Sequence, residues 1–162
     1  MHANATSITR DADPVVDAVV SASRALVGMA ARSLADVGEE VTLTQYRSLV
    51  VLASHGPQSV SALAEAVAVT APTASRMVER LVRKGLVRRR TDTKDRRQMR
   101  LALTESGHRL VTTVTQHRRA EIADLLASIP EEVQRAMVEG LVQLAAAAGE
   151  VPEQDWCTGW DV

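Results

Sequence analysis

The sequence is poor in several residue types on which other kinds of protein depend. Phenylalanine is absent, and the 162 residues include one cysteine, one tyrosine and two tryptophans. The apolar bulk comes from Ala, Val and Leu, a mixture that favours helices over a β-sandwich. Because Cys157 is the only cysteine, no intramolecular disulfide can form, which fits a reducing compartment.

Long apolar runs and catalytic motifs are also missing. The first fourteen residues contain no continuous apolar stretch, and runs such as 49–53 and 144–148 are far shorter than the roughly 20 residues of a membrane span. We therefore expect a soluble, cytoplasmic protein. No phosphate-binding glycine loop, nucleophile elbow, H-E-x-x-H or metal-ligand spacing of histidines occurs. We expect no catalytic residues, no metal and no other cofactor.

Charge is distributed unevenly along the chain. The formal net charge is only -1, yet residues 72–100 hold eleven Lys and Arg against three Asp and Glu, so this stretch carries +8 and the remainder -9. Such a bipolar chain is expected when one surface meets a polyanion and the rest keeps the protein soluble. A solvated basic helix face gives the same pattern, so charge alone leaves both interpretations open.

Apolar periodicity predicts four helices in the first half of the chain. The first covers residues 14–38, and the second is capped by Thr42 or Thr44 and ends at His55. The third is capped by Ser59 or Ser61. A tight turn at residues 69–70 leads into the fourth, which Thr70 caps and which runs to residue 84. The third and fourth helices have the order of a helix-turn-helix.

An extended pattern follows. Residues 86–91 and 98–103 flank a polar segment and predict a β-hairpin. A long helix then runs to Ile129, Pro130 ends it, and a last helix follows. This order defines a winged helix-turn-helix. Trp156 and Trp160, in the C-terminal tail, either dock against the helices or lie exposed.

The predicted fold is mainly α with a small β-hairpin wing. Residues 41–104 would form a winged helix-turn-helix DNA-binding domain, and residues 15–40 together with 105–148 a helical dimerisation region. Residues 1–14 would be a flexible arm and 149–162 an irregular tail.

The fourth predicted helix suits the major groove of duplex DNA, because one face is apolar and the opposite face is polar and cationic. Residues near the N-terminus of such a helix point to base edges. The candidates for base contacts are Thr70, Pro72, Thr73 and Arg76. Those for phosphate contacts are Ser59, Ser61, Arg80, Arg83, Arg88, Arg90, Lys94 and Arg96.

The hairpin tip has its own chemistry. Asp95 and Arg97 lie two residues apart, so the carboxylate can hold the guanidinium in one rotamer, and an oriented arginine on a thin hairpin suits the minor groove. A solvated loop that binds nothing is the alternative for an isolated D-R-R.

The hairpin also resembles a known family. The sequence TDTKDRRQMRLALTESG over residues 91–107 is similar to the wing of the multiple antibiotic resistance regulator (MarR) family, roughly D-x-R-D-x-R-x-x-x-L-x-L-T-x-x-G, and residues 43–49 and 76–87 resemble that family too. Lys94 stands where arginine is usual, which keeps the charge but loses bidentate geometry. The resemblance implies a homodimeric regulator with Arg97 in the minor groove and Asp95 as its brace.

The resemblance also implies a small effector bound between dimer and DNA lobes, for which the candidates are Met29, Tyr46 and Arg47. Apolar residues on the first and last two helices exceed the need of a small helix-turn-helix and predict an intersubunit bundle. Its candidates are Val15, Val19, Leu26, Ile122, Leu125, Ile129, Val133, Met137 and Leu141. A two-fold dimer implies a palindromic operator. A monomeric core is the alternative.

We therefore expect a sequence-specific transcriptional regulator, a ligand-responsive repressor, that is not an enzyme. Its expected partners are double-stranded DNA, a second copy of the chain and a small-molecule effector, with no membrane. Two other functions remain open. One is an interaction module whose basic hairpin docks an acidic protein, and the other is an architectural DNA binder without a preferred site.

Overall fold

The computed structural model describes residues 13–38, 40–92 and 98–156. They form six α-helices, one two-stranded antiparallel hairpin and a short 3-10 helix. In chain order these are α1 Pro14–Ala35, α2 Leu43–His55, α3 Val60–Ala66, α4 Ala71–Arg83, β1 Val87–Thr91, β2 Met99–Leu103, α5 Glu105–Leu126, α6 Glu131–Ala147 and the 3-10 helix Glu153–Asp155. The predicted fold class is confirmed.

Side-chain caps determine where most of the helices begin. Thr42, rather than Thr44, caps α2 in a reciprocal capping box with Gln45, and Ser59, rather than Ser61, caps α3. Thr70 occupies the N-cap position of α4, but its hydroxyl makes no capping bond and instead lies 2.9 Å from the hydroxyl of Thr73. The predicted N-cap position is therefore confirmed, but the capping hydrogen bond is not formed.

The turn between α3 and α4 lies earlier than predicted. Ala68 adopts a positive φ of 54°, and the N–H of Val69 donates to the carbonyl of Ala64 at 3.0 Å. A left-handed alanine costs about 1 kcal/mol relative to a residue in an ordinary region. This hydrogen bond closes the C-terminal end of α3 and offsets part of that cost.

The hairpin, which we call the wing, is attached to the helix-turn-helix by a third short segment. Val87 pairs with Leu103 and Thr91 with Met99 in the β1–β2 register. Gln58, in the connection between α2 and α3, exchanges two backbone hydrogen bonds with Leu101, of 3.0 and 2.7 Å. No local pattern predicts this bridge. It makes the wing part of the same body as α2 and α3.

The hydrophobic core lies between α2, α4, the wing and the first half of α5. Nine of the thirteen residues of α2 are buried, including Leu49, which is fully enclosed. Leu63 of α3, Leu81 of α4 and Val114 of α5 are equally enclosed. The core therefore belongs mainly to the predicted DNA-binding lobe.

The described part of the C-terminal tail, residues 149–156, is more regular than predicted. Residues 149–162 are predicted to be irregular, yet Glu153–Asp155 forms a 3-10 helix and Trp156 packs against the core. The indole N–H of Trp156 donates to the carbonyl of Val151 at 2.9 Å. Of the two alternatives for Trp156, docking is therefore the one observed. Cys157 and Trp160 lie outside the described residues.

The sequence predicts no segment apolar enough to span a membrane, and helix α1 differs from that expectation. By length and composition alone its 22 residues are apolar enough to cross a membrane. The lengths of uninterrupted apolar runs do not indicate such a helix, because its apolar residues are interspersed with Ser, Gly and single charges. A core helix of a soluble protein meets the same criteria, so the finding does not by itself indicate a membrane protein.

Gly107 connects the start of α5 to the wing. A Cβ added there would lie 2.2 Å from the backbone carbonyl oxygen of Leu86 and 3.2 Å from a methyl carbon of Leu103. The approach is secured by Thr104, whose hydroxyl accepts from the Gly107 N–H and donates to the Gly85 carbonyl. Only glycine fits between the two elements.

We predict that Gly107→Ala lowers the free energy of unfolding by about 2 kcal/mol, because backbone must move to admit the methyl group. Gly140→Ala is the control, since a Cβ there meets no atom of its own chain within 4 Å and alanine favours a helix. Urea unfolding followed by circular dichroism compares them. Equal stabilities for Gly107→Ala and the parent protein would contradict the packing assignment.

Candidate nucleic-acid interface

Helix α4 has two chemically opposite faces. Ala74, Val78 and Leu81 are fully buried against the core, and Met77 lies beside them. On the other side the residues predicted to contact bases are all exposed. They are Thr70, Pro72, Thr73 and Arg76. Because the inner face is locked in place, the outer face presents its side chains in a fixed orientation, which a groove-binding helix requires.

Most of the predicted phosphate contacts that the structure describes are exposed. Arg80, Arg83 and Arg88 are exposed, Arg90 is half-buried, and Ser61 is exposed on α3. Ser59 has a second task, because its hydroxyl oxygen accepts the Ala62 N–H at 3.1 Å as the helix cap. The hydroxyl hydrogen is not used by that cap. Lys94 and Arg96 lie outside the described residues.

The two residues predicted for the wing tip, Asp95 and Arg97, also lie outside the described residues. The structure instead shows an ion pair at the base of the tip. Arg100 Nε donates to the carboxylate of Asp92 at 2.7 Å, and the Asp92 N–H donates to the Gln98 carbonyl at 2.8 Å. The Asp92 side chain is only 12% exposed. These contacts close the hairpin just before its tip.

Sequence reasoning missed this Asp92–Arg100 pair. The antiparallel register offered the signal, because the pairing of Thr91 with Met99 puts Asp92 diagonally opposite Arg100. Beside the wing, burial lowers the pKa of His108 below its ordinary value, and the positive charge of Arg88 lowers it further. The lowered pKa favours the uncharged imidazole, which adds no repulsion to Arg88.

The three effector candidates are not brought together. Tyr46 and Arg47 line a groove of about 650 Å³ formed by α1, α2, α5, the end of α6 and the C-terminal segment. Met29 is buried and lines a separate hollow beside Arg32 and Glu121. In the single chain, Met29 therefore lines a different hollow from Tyr46 and Arg47, and its role as an effector contact stays a prediction. Met29 lies about one helical turn past Leu26 of α1, which does face the groove.

The groove combines an apolar wall with cations. Tyr46 is buried, and its hydroxyl lies 3.4 Å from that of Thr115. Burial raises the pKa of the Tyr46 phenol above its ordinary value, and this outweighs the opposite effects of Thr115 and of the nearby Arg118 charge. Arg118 Nε is buried and finds no hydrogen-bond partner in the described part of the chain. Within residues 13–38, 40–92 and 98–156, no three His, Cys, Asp or Glu residues are placed to hold a metal.

We predict a coupling energy of about 1 kcal/mol between Asp92 and Arg100, because their ion pair is partly shielded from water. The measurement is a double-mutant cycle of Asp92→Ala and Arg100→Ala by urea unfolding. The exposed i,i+4 pair of Glu105 and Arg109 is the control and should couple by only about 0.3–0.5 kcal/mol. A coupling at Asp92 no larger than this control would contradict the role of the pair in closing the wing.

Comparison with known proteins agrees with this geometry. Residues 41–99 match the MarR family. The chain is 34% identical over 119 residues to the HTH-type transcriptional repressor MdtR of Bacillus subtilis, an alignment that covers 74% of this chain and 77% of MdtR.

Solved structures show the same fold. The crystal structure of RV1404 from Mycobacterium tuberculosis superposes with a TM-score of 0.80 at 38% identity, covering 85% of this chain and 94% of that one. A mutant of Staphylococcus aureus MepR bound to an oligodeoxyribonucleotide has a TM-score of 0.59 at 23% identity, covering 83% and 98%, and shares the fold. By sequence and by structure, the chain belongs to the MarR family of winged helix-turn-helix, DNA-binding transcriptional regulators.

Proposed function

We propose that this protein is a sequence-specific repressor that binds a palindromic operator as a homodimer. The observation that carries the proposal is the two-faced α4, whose apolar side is buried and whose N-terminal turn and arginines face outward. In this arrangement Thr70, Pro72, Thr73 and Arg76 contact base edges in the major groove. The surrounding serines and arginines contact phosphates. Repression, rather than activation, is favoured because the relative MdtR is a transcriptional repressor.

The wing would complete the interface. Arg89 of β1 lines a hollow with Arg83 of α4 and so extends the cationic surface from α4 toward the tip. The next residue back, Arg88, projects to the opposite face of the strand and lies near His108. We propose that Arg97 enters the minor groove with Asp95 as its brace, and that the Asp92–Arg100 pair holds the hairpin beneath them. Because several phosphates would be neutralised, the logarithm of the binding constant should fall steeply with the logarithm of salt concentration.

Exposed apolar residues support the homodimer. Of the nine predicted interface residues, six are exposed in the single chain, namely Val15, Val19, Leu26, Leu125, Val133 and Leu141. Ile122, Ile129 and Met137 are half-buried. Helix α6 has no buried residue at all. An amphipathic helix gains its stability from burying its apolar face, so a second copy is the partner we propose.

This proposal assigns a role to each part of the chain. Residues 41–104 read DNA, residues 15–40 and 105–148 form the dimer, and residues 1–14 and 149–162 flank them. The groove beside Tyr46 and Arg47 is the proposed effector site, where an anionic or aromatic small molecule would lie between the two lobes. A regulator of this kind acts in the cytoplasm, where it meets DNA.

We predict that Arg76→Ala weakens binding to the operator by about 1–3 kcal/mol and relaxes preference at one base pair, because a bidentate contact to guanine is lost. Arg80→Ala should instead weaken binding to every duplex alike and reduce the salt slope by about 1. Gel shift with a site selected from genomic fragments measures both, and Arg135→Ala on α6 is the charge-matched control.

The same experiment separates the alternatives. Equal affinity for all duplexes, unaffected by Arg76→Ala, would indicate an architectural DNA binder. Weak binding to every duplex, with tight binding to an acidic protein, would indicate an interaction module. Either result would contradict the proposed repressor.

We predict that Leu141→Asp shifts the protein from dimer to monomer, because a charge would be buried at the subunit interface. Met99→Asp is the matched control, since Met99 is an equally exposed apolar residue on the wing. Sedimentation equilibrium measures both masses. A dimer that survives Leu141→Asp unchanged would place the interface elsewhere.

A further inference from the structure

The chain turns back on itself after α6. Gly149 has a positive φ of 74°, and the Glu150 N–H donates to the Ala145 carbonyl at 3.0 Å, which closes the helix end in the manner of a Schellman motif. The following residues, 150–156, then line the groove beside Tyr46 through Glu150, Glu153 and Trp156. We call this segment the strap.

The strap is joined to two helices at once. The Glu150 carboxylate accepts hydrogen bonds from both terminal nitrogens of Arg47 on α2, at 3.0 and 2.5 Å. The Glu153 carboxylate accepts two from Arg119 on α5, at 3.1 and 2.5 Å. Trp156 adds an apolar anchor, because its ring packs against the core and lines the groove. The strap therefore links α2 and α5 across the groove.

These contacts are weak enough to be released. Both ion pairs are exposed, with side-chain exposures of 41% and 43% for the first and 68% and 41% for the second. Exposed pairs contribute little to stability and are weakened by salt. The groove lined by the strap also holds Arg118 Nε, a buried donor that finds no hydrogen-bond partner in the described part of the chain.

The strap also continues directly from α6. No residue of α6 is buried against its own chain, whereas the strap that follows it is anchored on the lobe that carries α4. Through the strap, the end of the proposed dimerisation helix is fixed to the helix that supports the DNA-reading surface.

We propose that residues 150–156 form a releasable strap that closes the groove and holds the DNA-reading lobe in a fixed position relative to α6. Anything that takes Arg47 or Arg119 away from Glu150 or Glu153 opens the groove and loosens the two lobes. This regulatory consequence rests on the proposed DNA-binding function, whereas the docking of the strap does not.

Hydrogen–deuterium exchange of the full-length protein tests the docking. In Glu150→Gln/Glu153→Gln, the amides of residues 150–156 should exchange about threefold to tenfold faster, because two exposed ion pairs are lost from the closed state. The control is Glu105→Gln/Glu131→Gln, which removes two ion pairs and two charges elsewhere. This control should leave exchange in the strap unchanged.

Salt provides a second readout that does not depend on a substitution. Raising the NaCl concentration should speed exchange of the strap in the parent protein and have little effect in Glu150→Gln/Glu153→Gln, where the pairs are already absent. Strap exchange that is the same in the parent, the double variant and high salt would overturn the proposal.

Operator affinity tests the regulatory consequence. Removing two negative charges should by itself raise the affinity for DNA. We nevertheless expect Glu150→Gln/Glu153→Gln to bind its operator about threefold to tenfold more weakly, because the reading lobe loses its fixed position. Faster exchange with undiminished affinity would overturn the regulatory role. A parent protein that binds no duplex would instead contradict the proposed function, and the exchange result would stand.

Discussion

The burial of one face of α4 is the constraint on which the remaining structure depends. Ala74, Val78 and Leu81 have no exposed surface, and each large apolar side chain so enclosed contributes about 1.5–3 kcal/mol relative to exposure. This face cannot rotate without exposing them. The opposite face is consequently held in one orientation, with Arg76 outward. A surface that must match a DNA groove gains specificity from such rigidity, because little ordering is left to be done on binding.

The wing shares this rigidity through long-range contacts. Gln58 joins the hairpin to the α2–α3 connection, Gly107 lets α5 approach the hairpin closely, and the Asp92–Arg100 pair closes its far end. Helix α4 and the wing are therefore parts of one body. By contrast, α6 and much of α1 have their apolar faces exposed in the single chain, and the proposed dimer would cover them.

Local features of the structure could be predicted from the sequence because their causes are local. Helix starts follow from caps such as Thr42 and Ser59, and the hairpin follows from a change of period after Gly85. Contacts between distant segments could not be predicted in this way. The Gln58–Leu101 bridge and the ion pairs of the strap join residues 34 or more positions apart, for which neither propensity nor spacing gives a signal.

The same distinction between local causes and long-range contacts applies to the candidate site. Exposure of Thr73 and Arg76 follows from helical periodicity, and the structure agrees with it. The separation of Met29 from Tyr46 depends instead on how α1 packs on α2 and α5, which the sequence pattern leaves undetermined. The ordered tail was missed for a similar reason, because Trp156 is held by residues far away in the chain.

The most direct test of the central claim is methylation protection of guanine N7 on a selected operator, since N7 lies in the major groove. Insertion of the outer face of α4 from each subunit predicts two protected patches whose centres lie one helical turn, about 10 base pairs, apart. The protection should disappear in Arg76→Ala at the guanine that this residue contacts. Bound complexes that leave every guanine N7 reactive would contradict the assignment of α4 as the reading element.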